Sequence, residues 1–253
     1  MKSLRHDPAT FIDRLFPQGV QVDRSLPLST QIHALLRASI ITMVLVPNEK
    51  IFERLIAEEL AISRTPVREA LQMLAREELV LIAPQSGTYV APVGHAQFVE
   101  SALIREVLET ASIRRAADVI TDRELLALRD IHTAHCRAVE FRDPVAAIGY
   151  DNAFHGRVCA AAHLPKVSAL VEWARVPIDR VRHVTVRDPV VATVTLDQHR
   201  AILDALERRD PDAAETALRH HLDDAFRRQE QVFQANRDMF EGRGEPTVSR
   251  VVP

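Results

Sequence analysis

Hydrophobic positions in this chain recur mostly at helical spacing, and the period changes in one short stretch. Leu28 to Val46 reads as a helix, with Ile32, Leu35, Leu36, Ile40 and Met43 on one stripe. Thr30 is its expected cap and Pro47 its stop. Glu53 to Leu60 reads as a second, short helix and Arg64 to about Glu77 as a third, with Ala61-Ile62 as a tight connection. Leu79 to Pro84 then reads as a strand, Gln85-Ser86-Gly87 as a turn and Thr88 to Val90 as a second strand. Three helices followed by a hairpin predict a winged helix-turn-helix. Ala91-Pro92-Val93-Gly94 marks a boundary, and beyond it helical periods run over 97–119, 122–141, 144–163, 166–183, 198–209 and 211–234. Thr121-Asp122-Arg123-Glu124 is a capping-box start, and Pro144 and Pro211 open two further helices. Strand signals are missing there, which predicts an all-α bundle. The expected fold is mainly α: an arm over 1–25, partly disordered, a winged domain over 26–93, a bundle over 96–237 and a flexible tail over 238–253.

The third helix carries the clearest chemistry. On a wheel of about 100° per residue, Arg64, Arg68, Thr65 and Gln72 fall between roughly 0° and 100°. Val67, Ala70, Leu71 and Leu74 fall on the opposite face, between roughly 240° and 340°. The apolar face can dock on a core while two arginines point outward from the first turns, as in a helix that reads base edges. Ser63 is the expected N-cap, and Pro66 sits where first-turn N–H groups have no helical partner. Arg54 ahead of the second helix and Gln85, Ser86 and Gly87 at the wing tip are further expected contacts. The bland alternative is a solvated helix face.

Charge limits how such a domain can work. Residues 25–95 hold six basic side chains (Arg37, Lys50, Arg54, Arg64, Arg68 and Arg76) against seven glutamates, a net −1. A general basic patch is absent, so a few placed arginines must do the work and non-specific affinity should be modest. The two cysteines, Cys136 and Cys159, form no metal-type spacing and no disulfide framework, and suggest a reducing cytoplasm. The longest apolar run, Ile40 to Val46, is too short to span a bilayer. Only seven glycines and two tyrosines agree with a helical protein.

The bundle region holds a second candidate. Asp151 and His155 stand four apart on one predicted helix, about 40° apart on its face, so both can ligate one ion. His199 and His221 lie on later helices. One carboxylate and three imidazoles suit Zn²⁺ first, with Ni²⁺ or Mn²⁺ as alternatives. Eleven histidines make such a pair easy to meet by chance, and His220 rivals His221 because only one of two neighbours can face inward.

The run Ser63-Arg64-Thr65-Pro66-Val67-Arg68-Glu69-Ala70-Leu71 closely resembles the signature of the GntR family of bacterial transcription regulators, over residues 28–93. Thr42 or Met43, Asn48 and Glu78 stand where that family usually has glycine. Residues 96–237 resemble the FCD effector domain of its FadR-like branch, through Asp151-Asn152-Ala153-Phe154-His155, Gln198 to Leu206 and His221-Leu222. The resemblance implies that Asp151, His155, His199 and His221 hold a divalent metal, and it selects His221 over His220. It also implies a small organic-acid effector, with Arg105 as its expected cation and Arg182 as a second candidate. Arg105 has the alternative of an ion pair with Glu109.

Taken together, these residues predict a non-enzymatic bacterial regulator, a repressor by the family's commoner habit. A homodimer would bind a pseudo-palindromic double-stranded operator in the cytoplasm, with no membrane partner. The competing reading is a metal-dependent hydrolase with a winged-helix appendage.

Overall fold

The computed structural model describes residues 8–185 and 189–242. It divides into two compact units, one of residues up to Gly94 together with the chain from Asn236, the other His95–Ala235.

The first unit is a winged helix with added terminal pieces. It contains helices α1 (Pro8–Leu15), α2 (Leu28–Ile41), α3 (Glu53–Glu59) and α4 (Arg64–Arg76) and a small sheet of β1 (Lys50–Ile51), β2 (Val80–Ala83) and β3 (Gly87–Val90). The sheet is antiparallel in the order β1-β3-β2. Strand β1 was not expected, because two residues carry no alternation to read. The apolar face of α4 lies as the wheel placed it: Val67, Ala70, Leu71 and Leu74 are buried, and α4 packs on α2, whose Ile32, Leu36 and Ile40 are buried too.

Several expectations for this unit need correction. Helix α2 stops at Ile41, well before Pro47, and Pro27 rather than Thr30 occupies its N-cap. Met43 turns left-handed at φ 61°, and the Leu45 N–H reaches back to the Ser39 carbonyl at 3.0 Å, so the buried Leu45 plugs the helix end. The N-terminal arm is ordered from Pro8. Phe11, Leu15 and Phe16 are buried, Phe11 meets Phe52 edge-on at 5.3 Å, and Arg14 pairs with the buried Glu49. The start of the expected tail is also ordered: α12 (Arg237–Phe240) buries Phe240, whose carbonyl accepts the Val93 N–H at 2.9 Å. Burial of single aromatic residues outweighs the ordering entropy that composition suggested. The expectations of disorder for residues 1–7 and 243–253 lie outside the described residues.

Met43, Asn48 and Glu78, at positions where the resemblance leads one to expect glycine, all adopt positive φ, at 61°, 63° and 58°. The turn geometry is kept and the backbone carries the strain. Ala61, in the tight turn between α3 and α4, does the same at φ 50° and is exposed. Ala61→Gly removes only one methyl, so relief of strain should outweigh the greater freedom of the unfolded chain by roughly 0.5–1 kcal/mol. The expected result is a small rise in melting temperature, and a fall would show that the turn carries no strain.

The second unit is a helical bundle: α5 (His95–Val119), α6 (Asp122–Glu140), α7 (Pro144–Ala161), α8 (Pro165–Ala174), α9 (Val176–Thr185), α10 (Pro189–Glu207) and α11 (Pro211–Ala235). Ile113, Leu128, Phe154, Ile202, Leu206 and Leu218 meet in its core. Thr121 and Glu124 form the expected capping box, and Asp143 caps α7 through the Ala146 N–H. The helix expected over 166–183 is two helices. Pro177 has no N–H to return to the Trp173 carbonyl, so the run breaks at Arg175.

Candidate functional site

On the winged unit, α4 presents its polar face outward. Arg54, Ser63, Arg64, Thr65, Arg68, Gln72, Gln85 and Ser86 are all exposed, and Gly87 is half-buried. Ser63 holds the N-cap position of α4 but makes no side-chain cap bond, a correction to the expected role that leaves its hydroxyl outward. Arg54 pairs with Glu58 at 2.7 Å. At the wing, Gly87 takes φ 125°, and the Lys50 side chain lies 3.0 Å from where a Cβ would stand. The wing therefore needs glycine there. One residue at this face went unread in the sequence: Glu53 lies between Arg64, Arg68 and Thr88.

In the bundle, α7 supplies Asp151 and His155, α10 supplies His199 and α11 supplies His221. All four are buried, and one ligand atom from each lies within 4.8 Å of the others. An ion with ligands at about 2.0–2.2 Å would need this set to draw in by less than about 1 Å. His220 is exposed, so His221 is the inward member of the pair.

Hydrogen bonds fix the imidazole tautomers. His155 Nδ1 lies 2.8 Å from Glu109 Oε2, and a carboxylate only accepts, so Nδ1 carries the proton. His221 Nδ1 lies 2.9 Å from Gln198 Oε1, and Gln198 Nε2 donates to Asp224 Oδ2 at 2.8 Å, which sets the amide's orientation. With both rings neutral, both Nε2 atoms hold lone pairs, and they face each other 3.1 Å apart. Two lone pairs in that position suit a shared electrophile. His199 is buried with neither ring nitrogen hydrogen-bonded among the described residues, and its Nε2 is 3.6 Å from Asp151 Oδ1. Phe154 stacks on its ring at 4.2 Å. Burial lowers the pKa of His221 to about 3 and that of His199 well below its usual value. Burial alone would raise Asp151, but the Arg182 guanidinium leads the charges that outweigh it and hold the carboxylate well below its ordinary range. Neutral imidazoles beside an ionised carboxylate are the protonation states a metal requires. The bundle thus contains a buried Asp/His₃ group able to hold a metal ion.

The two arginines expected at an effector both lie beside this group and both are engaged. Arg105 Nε donates to Glu109 Oε1 at 2.6 Å, so the alternative ion pair is present. Arg182 Nη1 donates to Asp151 Oδ2 at 2.8 Å and to Asn152 Oδ1 at 3.1 Å. Sequence reading missed the work of Glu109 and Gln198, which orient two ligand histidines, and missed His135, buried 5.5 Å from the His199 ring. Glu109 shares an inward helical face with Arg105, Ser112, Ile113 and Ala116, which was the available signal.

A family model described as "Bacterial regulatory proteins, gntR family" matches residues 28–90, and one described as "FCD domain" matches residues 100–224. The chain is 31% identical over 221 residues to the HTH-type transcriptional repressor RspR of Escherichia coli K12, covering 87% of this chain and 96% of the relative. The chain belongs to the GntR family. This GntR protein is also 33% identical, over 66% of its length and 73% of the relative, to a probable D-xylose utilization operon transcriptional repressor of Paenarthrobacter nicotinovorans. The solved structure of E. coli McbR/YncC shares its fold, with TM-score 0.74 and 23% identity over 82% of this chain and 99% of that one. The GntR chain is thus a bacterial, DNA-binding transcription regulator with an FCD domain. The hydrolase alternative falls, because the families and relatives are regulators and not enzymes. Among the described residues no helix is long and apolar enough to cross a membrane.

Proposed function

We propose that this regulator is a repressor whose bundle core holds a divalent metal, Zn²⁺ first, on Asp151, His155, His199 and His221. A small organic acid bound beside that metal changes operator affinity. The buried Asp/His₃ set with two facing Nε2 atoms carries this reading. A metal held by these four residues would supply a Lewis acid for an anionic oxygen. Glu109 and Gln198 hold the Nδ1 protons of His155 and His221 and keep both Nε2 lone pairs aimed inward. Arg182 donates to Asp151, and an incoming carboxylate offers its guanidinium a further acceptor. Arg182 sits on α9, a ten-residue helix set apart from α8 by the break at Arg175, so a new partner for Arg182 can shift α9. Arg105, held by Glu109, serves as a supporting cation.

The regulator acts in the cytoplasm as a homodimer on a pseudo-palindromic operator, with Arg64 and Arg68 in the major groove. Ser63, Thr65 and Gln72 add polar contacts beside them. Arg54 and the wing residues Gln85, Ser86 and Gly87 reach phosphate or minor groove. Differential acid binding to two arrangements of the bundle then changes DNA affinity by linkage. Two relatives named as repressors support the sign.

Small carboxylic acids are screened by thermal shift on metal-loaded and chelator-treated protein. A stabilising acid should lose its effect on chelation, regain it with Zn²⁺, and fail to act on His155→Ala. An acid that stabilises equally without metal would remove the cluster as the anchor.

A further inference from the structure

We propose that Glu53 is a specificity-determining residue of the DNA interface, acting as a positioning residue that holds Arg64 and Arg68 away from phosphate and presents them to base edges. The inference rests on DNA reading by α4. Glu53 opens α3, and its Oε2 takes Arg68 Nε at 3.1 Å and Arg64 Nη2 at 3.5 Å. Its other oxygen accepts the Thr88 hydroxyl at 3.3 Å. Thr88 is buried in β3, the central strand, so the carboxylate is tied to the sheet beneath the recognition helix. The Glu53 side chain keeps 22% of its surface exposed, against 54% and 59% for Arg64 and Arg68. The acid therefore lies under the two guanidinium groups, joining α3, α4 and the wing.

The mode of contact matters. Arg68 is held through Nε and is largely exposed, which leaves its two Nη groups unused by Glu53 as a fork. That fork matches guanine O6 and N7 bidentately. An arginine held in place loses less side-chain entropy when it meets its base. The carboxylate also stands within the face that approaches DNA. It weakens attraction for any phosphate, while a well-aimed base contact recovers the loss. This agrees with a segment of net charge −1, whose binding cannot come from bulk attraction. Glu53 thus acts against wrong sequences as much as for the right one.

The test uses the full chain. Wild-type protein selects its site from a random duplex pool, and affinities for the selected and a scrambled duplex are measured across salt concentrations. Glu53→Gln keeps shape and removes charge. Its binding to the scrambled duplex should tighten severalfold, and the ratio of selected to scrambled affinity should fall by about tenfold. Re-selection should show weaker preference at guanines. Glu53→Asp keeps the charge and withdraws the carboxylate by one methylene, so its ratio should fall without a gain on scrambled DNA. In an Arg68→Ala background, Glu53→Gln should lower the ratio by less than it does in the wild type, because only Arg64 remains to be positioned. The proposal is overturned if Glu53→Gln, with unaltered thermal unfolding, shifts both affinities by one factor and selects the same site. If wild-type protein selects no sequence, DNA reading by α4 falls and takes the role of Glu53 with it.

Discussion

Glu109→Ala should destabilise this regulator by about 3–5 kcal/mol, the cost of leaving one member of a buried ion pair alone. Glu109 is 1% exposed and accepts from Arg105 Nε at 2.6 Å and His155 Nδ1 at 2.8 Å. Burial raises its pKa, but Arg105 and His155 more than reverse this, so the group is an anion at neutral pH. Alanine leaves the Arg105 guanidinium charged inside the bundle with its main partner gone. It also releases the His155 ring. Metal affinity should therefore fall by about 10- to 100-fold, the usual effect of losing such an orienting group. Glu109→Leu combined with Arg105→Met removes both charges and should recover most of the stability, but not the metal affinity. Urea unfolding followed by helical circular dichroism measures the first quantity and zinc titration the second. A loss below about 1 kcal/mol in Glu109→Ala would show that Arg105 finds water or another anion.

Acidification should unfold the metal-stripped bundle over an unusual range. The folded-state pKa values of His199 and His221 lie below the ordinary 6.5, that of His221 at about 3. Unfolded chains then bind protons that the folded chain refuses. The stability linked to these histidines is complete above pH 6.5 and is lost as pH falls, at about 1 kcal/mol per pH unit for each. Asp151 and Glu109, whose pKa values are also depressed, add a further loss below about pH 4. Zinc should raise stability at pH 7 by about 4 kcal/mol when present at a thousand times its dissociation constant. It should also steepen the acid slope, because protons compete for the same nitrogens. Melting temperatures from pH 7 to 5, with chelator and with Zn²⁺, measure both effects. Identical curves at pH 7 would remove the metal from the proposal. A flat chelated curve would show that the imidazoles are not held neutral by burial.

Local periodicity determined more of this protein than any long-range feature. The apolar face of α4, the capping box at Thr121 and the proline starts of α7 and α11 depend on residues within a few positions of one another, and the structure carries all of them. The signature from Ser63 to Leu71 was equally legible, because a recognition helix is one continuous segment. Asp151 and His155 were readable as a pair for the same reason. Their meeting with His199 and His221 was not in the spacing; the sequence offered those two only as histidines on later helices, and the family resemblance gave them weight. Only tertiary packing decided what surrounds them: that Gln198 and Asp224 orient His221, and that Arg105 and Arg182 each face a carboxylate. The ordered ends had the same origin. Phe11 and Phe240 carry no periodic signal, yet each is fully buried, and partners far away in sequence hold them: Phe52 beside the first, Val93 on the carbonyl of the second. Hydrogen-bond direction, burial and charge pairing are properties of neighbours in space, and a sequence lists only neighbours along the chain.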